Sequence, residues 1–110
     1  MYTYTAIVKA VHDGDTFTAI VDLGFHVELE AKIRLNGINA PELNGDTKTA
    51  GLASRDRLIQ LVLDKQVILK THKDKQEKYG RWLADVFITE TDAKSVNQIL
   101  LDEGLAVVYA

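Results

Sequence analysis

The stretch that decides the fold class runs from Tyr4 to Asp22 and reads YTAIVKAVHDGDTFTAIVD. On both sides of Asp13-Gly14 the residues are rich in β-branched and aromatic side chains, which favour extended strands. An Asp-Gly pair readily adopts the positive backbone angles that a two-residue hairpin turn requires. We therefore predict a β-hairpin with strands over Tyr4–Val11 and Thr16–Asp22 and a turn at Asp13-Gly14.

A third strand is predicted after a second turn at Leu23-Gly24. Apolar and polar residues alternate strictly from His26 to Asn36, which is the pattern of a half-buried strand. The predicted buried face consists of Val27, Leu29, Ala31, Ile33 and Leu35.

The rest of the chain predicts two helices and two further strands. Pro41 and Asn44-Gly45-Asp46 interrupt the sheet, and a helix is predicted between about Lys48 and Leu63 with Ala50, Ala53, Leu58, Leu61 and Val62 as its apolar stripe. Strands follow over Val67–Thr71 and Trp82–Ile88. A capping box at Ser95 begins a short helix that ends before Gly104, and a tail follows over Leu105–Tyr109. We predict a mainly β, α+β fold: one domain, residues 1–110, built as a small closed or nearly closed five-stranded barrel with two helices.

Composition narrows the function classes. The chain has no Cys, which excludes a disulfide framework, a thiolate zinc site and a thiol nucleophile. Its net charge of −3 offers no general electrostatic attraction to a polyanion. One segment, residues 70–81, holds five basic residues against two acidic ones, so it forms either a basic patch or a solvated loop. No signal peptide or membrane-spanning run is apparent. We expect a soluble monomer, cytoplasmic unless a longer precursor exists.

Polar residues cluster at three predicted strand ends: Asp13–Thr16, Arg34–Glu42 and Lys78–Arg81. Each cluster alone has a structural explanation, since Asp13 suits a turn, Arg34 and Glu42 could form a salt bridge and Arg81 could cap a loop carbonyl. Asp15 is in phase with Phe17 and Ala19, so its carboxylate should point to the end of the barrel. Together, two arginines, a glutamate and an oxygen ligand meet the needs of phosphodiester hydrolysis, which are charge neutralisation, a base and a metal.

Four motifs resemble the staphylococcal nuclease family, in order and at suitable separations. They are Val11-His12-Asp13-Gly14-Asp15-Thr16, then Ile33 to Glu42 (IRLNGINAPE), then Lys78-Tyr79-Gly80-Arg81, and finally Val96-Asn97 with Gly104-Leu105-Ala106. The resemblance covers nearly the whole chain and implies a five-stranded OB-type β-barrel with two flanking α-helices. It also implies a Ca²⁺-dependent endonuclease that has little sequence preference and leaves 3′-phosphate ends. The expected substrate is single-stranded or locally melted DNA, and RNA is an alternative that the sequence leaves open.

The same resemblance implies roles for individual residues. Asp15, Asn39 and the backbone carbonyl of Ala40 match the calcium ligands, Glu42 matches the general base, and Arg34 and Arg81 match the phosphate clamp. Lys78 and Tyr79 match positions that contact phosphate and nucleotide, and Tyr109 is expected to replace in part the aromatic nucleotide contacts of longer family members. A guanidinium holds its proton tightly, so for Arg81 we favour electrostatic stabilisation over acid catalysis.

Asn39 departs from the family pattern, which commonly has an aspartate at this position. A neutral amide can still ligate a hard cation, so we expect weaker rather than absent metal binding. Trp82 is predicted as a core residue, with base stacking as the alternative. His12, His26 and His72 lack the spacing of a zinc site. The alternative function is a non-cleaving OB-type module that binds nucleic acid or protein.

Overall fold

Five strands close into a barrel in the computed structural model, which describes residues 2–76, 80–89 and 91–109. These are β1 (Tyr2–Asp13), β2 (Thr16–Asp22), β3 (Glu28–Leu35), β5 (Gln66–Gln76) and β6 (Trp82–Phe87). The order around the barrel is β1-β2-β3-β6-β5, and neighbouring strands are antiparallel except for the parallel pair β3–β6. The OB-type, α+β barrel expected from the sequence is therefore confirmed.

Two helices, a 3-10 turn and two short strands flank the barrel in the described part of the chain. The helices are α1 (Lys48–Val62), preceded by a 3-10 turn over Gly45–Thr47, and α2 (Val96–Asp102). Two short strands, β4 (Ile38–Asn39) and β7 (Val107–Val108), pair with each other outside the barrel. In the described part of the chain, no helix has the length and apolar character needed to cross a membrane.

The core fills the barrel and extends beneath both helices. Phe17, Ile33, Leu35, Leu69 and Val86 are fully buried between the strands. Leu58 and Val62 of α1 and Val96 and Leu100 of α2 join the same cluster. Because one face of each helix covers an end of the barrel, the helices contribute to the single core instead of forming one of their own.

The first hairpin turns one residue later than predicted. Asp13 pairs with Thr16, so Gly14 and Asp15 form the turn, and Gly14 is not among the residues with positive φ. A Cβ on Gly14 would lie 2.0 Å from Ser54 Oγ and 2.7 Å from the Ala40 Cβ. The sequence interpretation of this glycine was wrong because close packing against α1, not a turn angle, excludes a side chain here.

The third strand begins later than predicted. Gly24, Phe25 and His26 have φ values of 84°, 54° and 62°, so the chain reverses through His26 and β3 starts at Glu28. Val27 and Leu29 are 52% and 45% exposed, which contradicts the predicted buried face at this end. Only Ala31, Ile33 and Leu35 are buried, because β6 pairs with β3 from Ile33 onward.

The predicted apolar stripe of α1 is also partly wrong. Ala50 and Ala53 are exposed, and the buried residues are Gly51, Ser54, Leu58 and Val62. Small residues occupy the buried side of the first half because the helix backbone approaches neighbouring loops directly. A hydrophobicity pattern does not mark Gly or Ser as buried.

The second helix follows the sequence prediction closely, whereas part of the predicted tail, Val107–Val108, forms strand β7. The Ser95 hydroxyl accepts a hydrogen bond from the Gln98 N–H at 3.0 Å, as an N-cap does. Gly104 has a φ of 73°, and the Leu105 N–H donates to the Leu100 carbonyl at 2.9 Å, which completes a Schellman-type end. These local signals confirm the predicted helix start and stop.

Candidate active site

The Gly14-Asp15 turn places a nearly buried carboxylate at one end of the barrel. Asp15 is 6% exposed. Its Oδ1 accepts from the Thr16 hydroxyl at 3.0 Å and its Oδ2 accepts from the Ala40 N–H at 2.9 Å. The second bond joins the hairpin to the loop after β4, so the two segments hold one carboxylate in a fixed orientation.

Asp13 supports this turn from the opposite side. Its Oδ1 accepts the Asp15 N–H at 3.0 Å, which is an Asx-type turn. Burial raises the pKa of the Asp13 carboxyl, and its hydrogen-bonded neighbour Asp15 raises that pKa further. The turn role that the sequence suggested for Asp13 is therefore observed.

Arg34 leaves β3 beside this carboxylate. Its Nη1 donates to the carbonyls of Leu35 and Ile38 at 3.0 and 2.9 Å and lies 3.5 Å from Asp15 Oδ2. Its Nη2 donates to the Asn39 side-chain oxygen at 3.2 Å. The ion-pair partner of Arg34 is thus Asp15. The salt bridge between Arg34 and Glu42, which the sequence also allowed, is not formed among the described residues.

Arg81 reaches the same end of the barrel from the residue before β6. Its Nη1 donates to the Thr16 hydroxyl oxygen at 3.2 Å. Because the Thr16 hydroxyl also donates to Asp15, this threonine links the second arginine to the carboxylate. The structure therefore brings Asp15, Arg34 and Arg81 together, although they come from three separate parts of the chain.

The loop that carries Glu42 is held by its backbone. The Thr47 hydroxyl donates to the Glu42 carbonyl at 2.9 Å, and a Cβ on Gly51 would lie 2.4 Å from that carbonyl oxygen. The Glu42 residue is exposed, and no hydrogen bond or ion pair joins its carboxylate to the residues that the structure describes. The side chain is therefore in contact with solvent water while its backbone is fixed.

Tyr109 lies over this site through the small β4–β7 sheet. Its N–H donates to the Gly37 carbonyl at 2.9 Å, and its ring centroid is 5.7 Å from the Arg34 guanidinium carbon. The ring is 60% exposed. It offers an aromatic face next to the arginine, in the range of a cation–π contact.

The predicted calcium ligands are of the chemical type that a hard divalent cation prefers, and the Asn39 side-chain oxygen accepts from Arg34 in this structure. Asp15, the Asn39 amide oxygen and the Ala40 carbonyl are all oxygen donors, the type that Ca²⁺ prefers. Each Asp15 oxygen accepts one protein hydrogen bond, and a carboxylate has further lone pairs to share. Only one of these three donors carries a charge, and the described residues contain no group of three or more His, Asp or Glu suited to a metal.

The predicted basic segment is only partly described. Residues 70–76 belong to β5, and the Lys70 ammonium lies 4.7 Å from the centroid of the Phe87 ring. Lys78 and Tyr79, the predicted substrate contacts, lie outside the described residues. Their roles stay predictions from the resemblance.

Sequence reasoning missed three residues that build the site. Thr16 bridges Asp15 and Arg81, while Gly14 and Gly51 allow close approach of the two loops to α1. Thr16 stands inside the quoted Asp-Gly-Asp-Thr motif, and that was the available signal. Gly14 belongs to the same motif, but its packing against Ser54 is not visible in the sequence, and no motif marks Gly51.

Comparison with known proteins adds an independent finding. No curated protein matches the chain significantly. A family model described as staphylococcal nuclease homologue matches residues 32–110, a range that contains Arg34, Glu42 and Arg81. Since the match covers well over half of the sequence, the chain belongs to the staphylococcal nuclease homologue family.

Proposed function

We propose that this protein is a calcium-dependent endonuclease that hydrolyses phosphodiester bonds of single-stranded DNA and RNA with little sequence preference. The observation that carries the proposal is the convergence of Arg34 and Arg81 on the buried Asp15 and its neighbour Thr16. A phosphodiester bound at this end of the barrel would meet both guanidinium groups, which match a phosphate in geometry and in charge.

Arg34 and Arg81 bind and orient the phosphate. A planar guanidinium matches a phosphate through paired N–H donors and keeps its charge at all relevant pH values. The bonds that Arg34 makes to the described residues use both N–H groups of Nη1 and one of Nη2, so two of its five donors remain for a ligand. As negative charge grows on the phosphate oxygens in the transition state, these donors stabilise it.

Asp15, Asn39 and Ala40 are the residues that would hold calcium. When bound there, the cation supplies additional positive charge to the phosphate oxygens. Asp15 also balances the charge of Arg34 in the absence of substrate, which keeps the arginine in place.

Glu42 takes the role of general base. Its exposed carboxylate is accessible to water, and the backbone contacts from Thr47 and Gly51 keep its loop fixed. The carboxylate accepts a proton from the attacking water, which adds to phosphorus in line with the departing 5′-oxygen. The bond from phosphorus to the 5′-oxygen breaks as the bond to the water oxygen forms, and the departing 5′-oxygen takes up a proton from solvent water, so the products are a 3′-phosphate and a 5′-hydroxyl.

The experiment that tests the proposal combines cleavage with end analysis. The protein is incubated with a single-stranded DNA oligonucleotide, and separately with RNA, in calcium and in excess chelator. We expect cleavage in calcium alone, and products whose 3′ ends lose phosphate on phosphatase treatment. Cleavage that persists in chelator, or products with 3′-hydroxyl ends, would contradict the mechanism. Binding without any cleavage would instead assign the chain to the non-catalytic nucleic-acid-binding class.

A matched pair of arginine variants localises the activity. Arg34→Lys keeps one positive charge but removes the paired donors, and we expect at least a tenfold loss of kcat/KM. Arg57→Lys is the control. Arg57 of α1 also makes two hydrogen bonds to one carboxylate, that of Glu103 after α2, so the same substitution removes paired donors outside the proposed site. Equal losses in the two variants would show that Arg34 has no special role.

A further inference from the structure

The turn between β2 and β3 carries apolar side chains into solvent at the end of the barrel away from the proposed phosphate site. Phe25, at its tip, is 99% exposed. Other large apolar side chains beside it are also exposed: Tyr2, Leu23, Val27 and Leu29. Along β3, Glu28 comes six residues before Arg34, which separates this surface from Arg34 by roughly 20 Å. A group of exposed apolar side chains in one place commonly marks an interaction site.

The backbone of the turn holds Phe25 in a fixed position. The Leu23 N–H donates to the Val27 carbonyl and the Val27 N–H donates to the Gly24 carbonyl, both at 2.9 Å. The Asp22 Oδ1 accepts the Gly24 N–H at 2.8 Å. Phe25 has a φ of 54°, a left-handed conformation that is uncommon for a bulky residue. An aromatic side chain on a fixed turn loses little conformational entropy when a partner covers it.

Carboxylates border this apolar surface. Asp22 and Glu28 face each other across the β2–β3 ladder, where two like charges are unfavourable. Glu30 follows on the same face of β3 as Glu28. Among the residues that the structure describes, none of these three carboxylates has an ion-pair partner. The segment from Asp22 to Ala31 contains no Lys or Arg, so its negative charge is available to a cationic ligand.

Two hollows adjoin the turn. A shallow one is lined by Phe25 together with polar and charged residues: Asp22, Gly24, His26 and Glu28. The other is an apolar cleft of about 280 Å³ that has Tyr2, Leu23 and Leu29 at its mouth and Trp82 in its wall. No Asp, Glu, Lys or Arg lines this cleft. Because pockets for whole small molecules are on the order of 300–1,000 Å³, the cleft suits a single apolar side chain.

We propose that this surface binds a segment of a partner protein that carries apolar and basic side chains next to each other. We call it the turn face, and it consists of Tyr2, Asp22, Leu23, Phe25, Glu28 and Leu29. An apolar side chain of the partner enters the cleft and packs beside Phe25, as the anchor residues of protein interfaces do. A Lys or Arg of the partner lies beside Asp22 and Glu28, where its positive charge offsets their mutual repulsion.

The charge of the turn face disfavours other occupants. Nucleic acid and anionic bilayers are both negatively charged, and the carboxylates of Asp22, Glu28 and Glu30 repel them. A second copy of the chain related by a two-fold axis would place the same patch against itself, and the same carboxylates would then oppose one another. A cationic, apolar protein segment is the occupant that both charge and shape favour.

This inference goes beyond the proposed function and does not depend on it. Because the turn face lies at the other end of the β2–β3 ladder from Arg34, a segment bound there leaves the proposed phosphate site open. The expected consequence is attachment of the protein to its partner without inhibition of cleavage.

Three synthetic peptides of equal length test the proposal. One alternates Leu and Lys, the second alternates Leu and Glu, and the third alternates Ser and Lys. Trp82 is the only tryptophan in the chain, so its fluorescence reports on the cleft, and amide chemical shifts of the labelled protein locate the binding site. We expect the Leu-Lys peptide alone to change Trp82 fluorescence saturably and to shift the amides of Tyr2 and of residues 22–29. No binding, equal binding of the Ser-Lys peptide, or shifts centred on another surface would overturn the proposal.

A pair of apolar variants tests the anchor. Phe25→Ser should weaken binding of the Leu-Lys peptide at least roughly tenfold. Val107→Ser is the control, because Val107 is also an exposed apolar residue, at 65%, but lies on β7. Thermal unfolding establishes that both variants are folded. Equal effects of the two substitutions would show that the peptide binds exposed apolar residues without preference.

A charge reversal tests the basic part of the segment. Glu28→Lys should weaken binding of the Leu-Lys peptide roughly fivefold and allow the Leu-Glu peptide to bind. Asp46→Lys is the control, since it changes the net charge equally at an exposed position far along the chain. Equal weakening by both variants would reduce the effect to overall charge and contradict the proposal.

Two further measurements examine the occupants that charge disfavours. Sedimentation of the protein alone should show no self-association, and vesicles containing phosphatidylserine should not bind it. Dimer formation or vesicle binding that is lost in Phe25→Ser would assign the turn face to a second copy or to a membrane and would overturn the proposal.

Discussion

The first turn of α1 lies directly against the backbone of Glu42, since a Cβ on Gly51 would be 2.4 Å from the Glu42 carbonyl oxygen. Through this contact α1 holds the backbone of Glu42, the proposed general base, in position. The same contact gives a glycine in a helix interior a reason to be there, although glycine is unfavourable in helices.

Gly51→Ala should therefore lower both stability and activity. Helix propensity alone would stabilise α1 by about 1 kcal/mol, but a contact this short forces the Glu42 loop to shift. We expect a lower Tm and a lower kcat, measured by thermal unfolding and by cleavage of an oligonucleotide. Ala53→Gly, at an exposed position of the same helix, should cost about 1 kcal/mol and leave kcat unchanged. A higher Tm with normal kcat in Gly51→Ala would show that α1 does not position this loop.

Glu42→Gln should remove most activity and leave the fold intact. The amide keeps the size of the side chain but cannot accept the proton of the attacking water, so we expect kcat to fall at least roughly a hundredfold. Asp46→Asn is the control, because Asp46 is an exposed carboxylate in the same loop and its loss changes the net charge equally. Near-normal turnover of correctly folded Glu42→Gln would exclude Glu42 as the base.

Asn39→Asp should tighten calcium binding. The substitution adds a negative charge to a donor set in which Asp15 is the only carboxylate, and Ca²⁺ affinity rises with the charge of its ligands. Calorimetric titration with calcium measures binding directly, and the calcium dependence of cleavage should move to lower concentration while kcat at saturating calcium changes far less. Asn44→Asp adds the same charge at an exposed site of the following loop. If both variants bind calcium as the wild type does, Asn39 is not a ligand.

Asn97→Ala should destabilise the fold more than any exposed substitution on α2. The buried Asn97 side chain accepts from the Val86 N–H at 3.0 Å and donates to the carbonyls of Asn36 and Ala84 at 2.8 and 3.2 Å. Its removal leaves buried backbone groups without partners, and we expect a loss of roughly 3 kcal/mol in the free energy of unfolding. Urea denaturation measures this loss. Gln98→Ala, which removes an exposed contact to Asp102, should cost far less, and similar costs would show that Asn97 is not a structural link.

Local patterns in the sequence were sufficient for most elements of the fold. The β-branched runs on either side of Asp13-Gly14 predicted the first hairpin, and the Ser95 cap and Gly104 predicted the second helix. Such signals work because strand pleating and helix caps depend on residues a few positions apart. The individual roles of Asp15, Arg34, Glu42 and Arg81 came from resemblance to a family, and they stay predictions until the variants are measured.

The sequence by itself determined the five barrel strands and the two helices to within a few residues, because backbone propensity and hydrophobic alternation are local properties. It did not predict β4 and β7, which form only by pairing with each other. Only the tertiary structure decided which surfaces meet. It placed Gly14 against Ser54 and Gly51 against Glu42, paired Arg34 with Asp15, and limited the β3–β6 ladder to three residue pairs. Each of these contacts joins different elements of the fold and depends on how closely two backbones approach when the core is packed. Glycine and serine at such contacts carry no hydrophobic signal, so their importance becomes visible only in three dimensions.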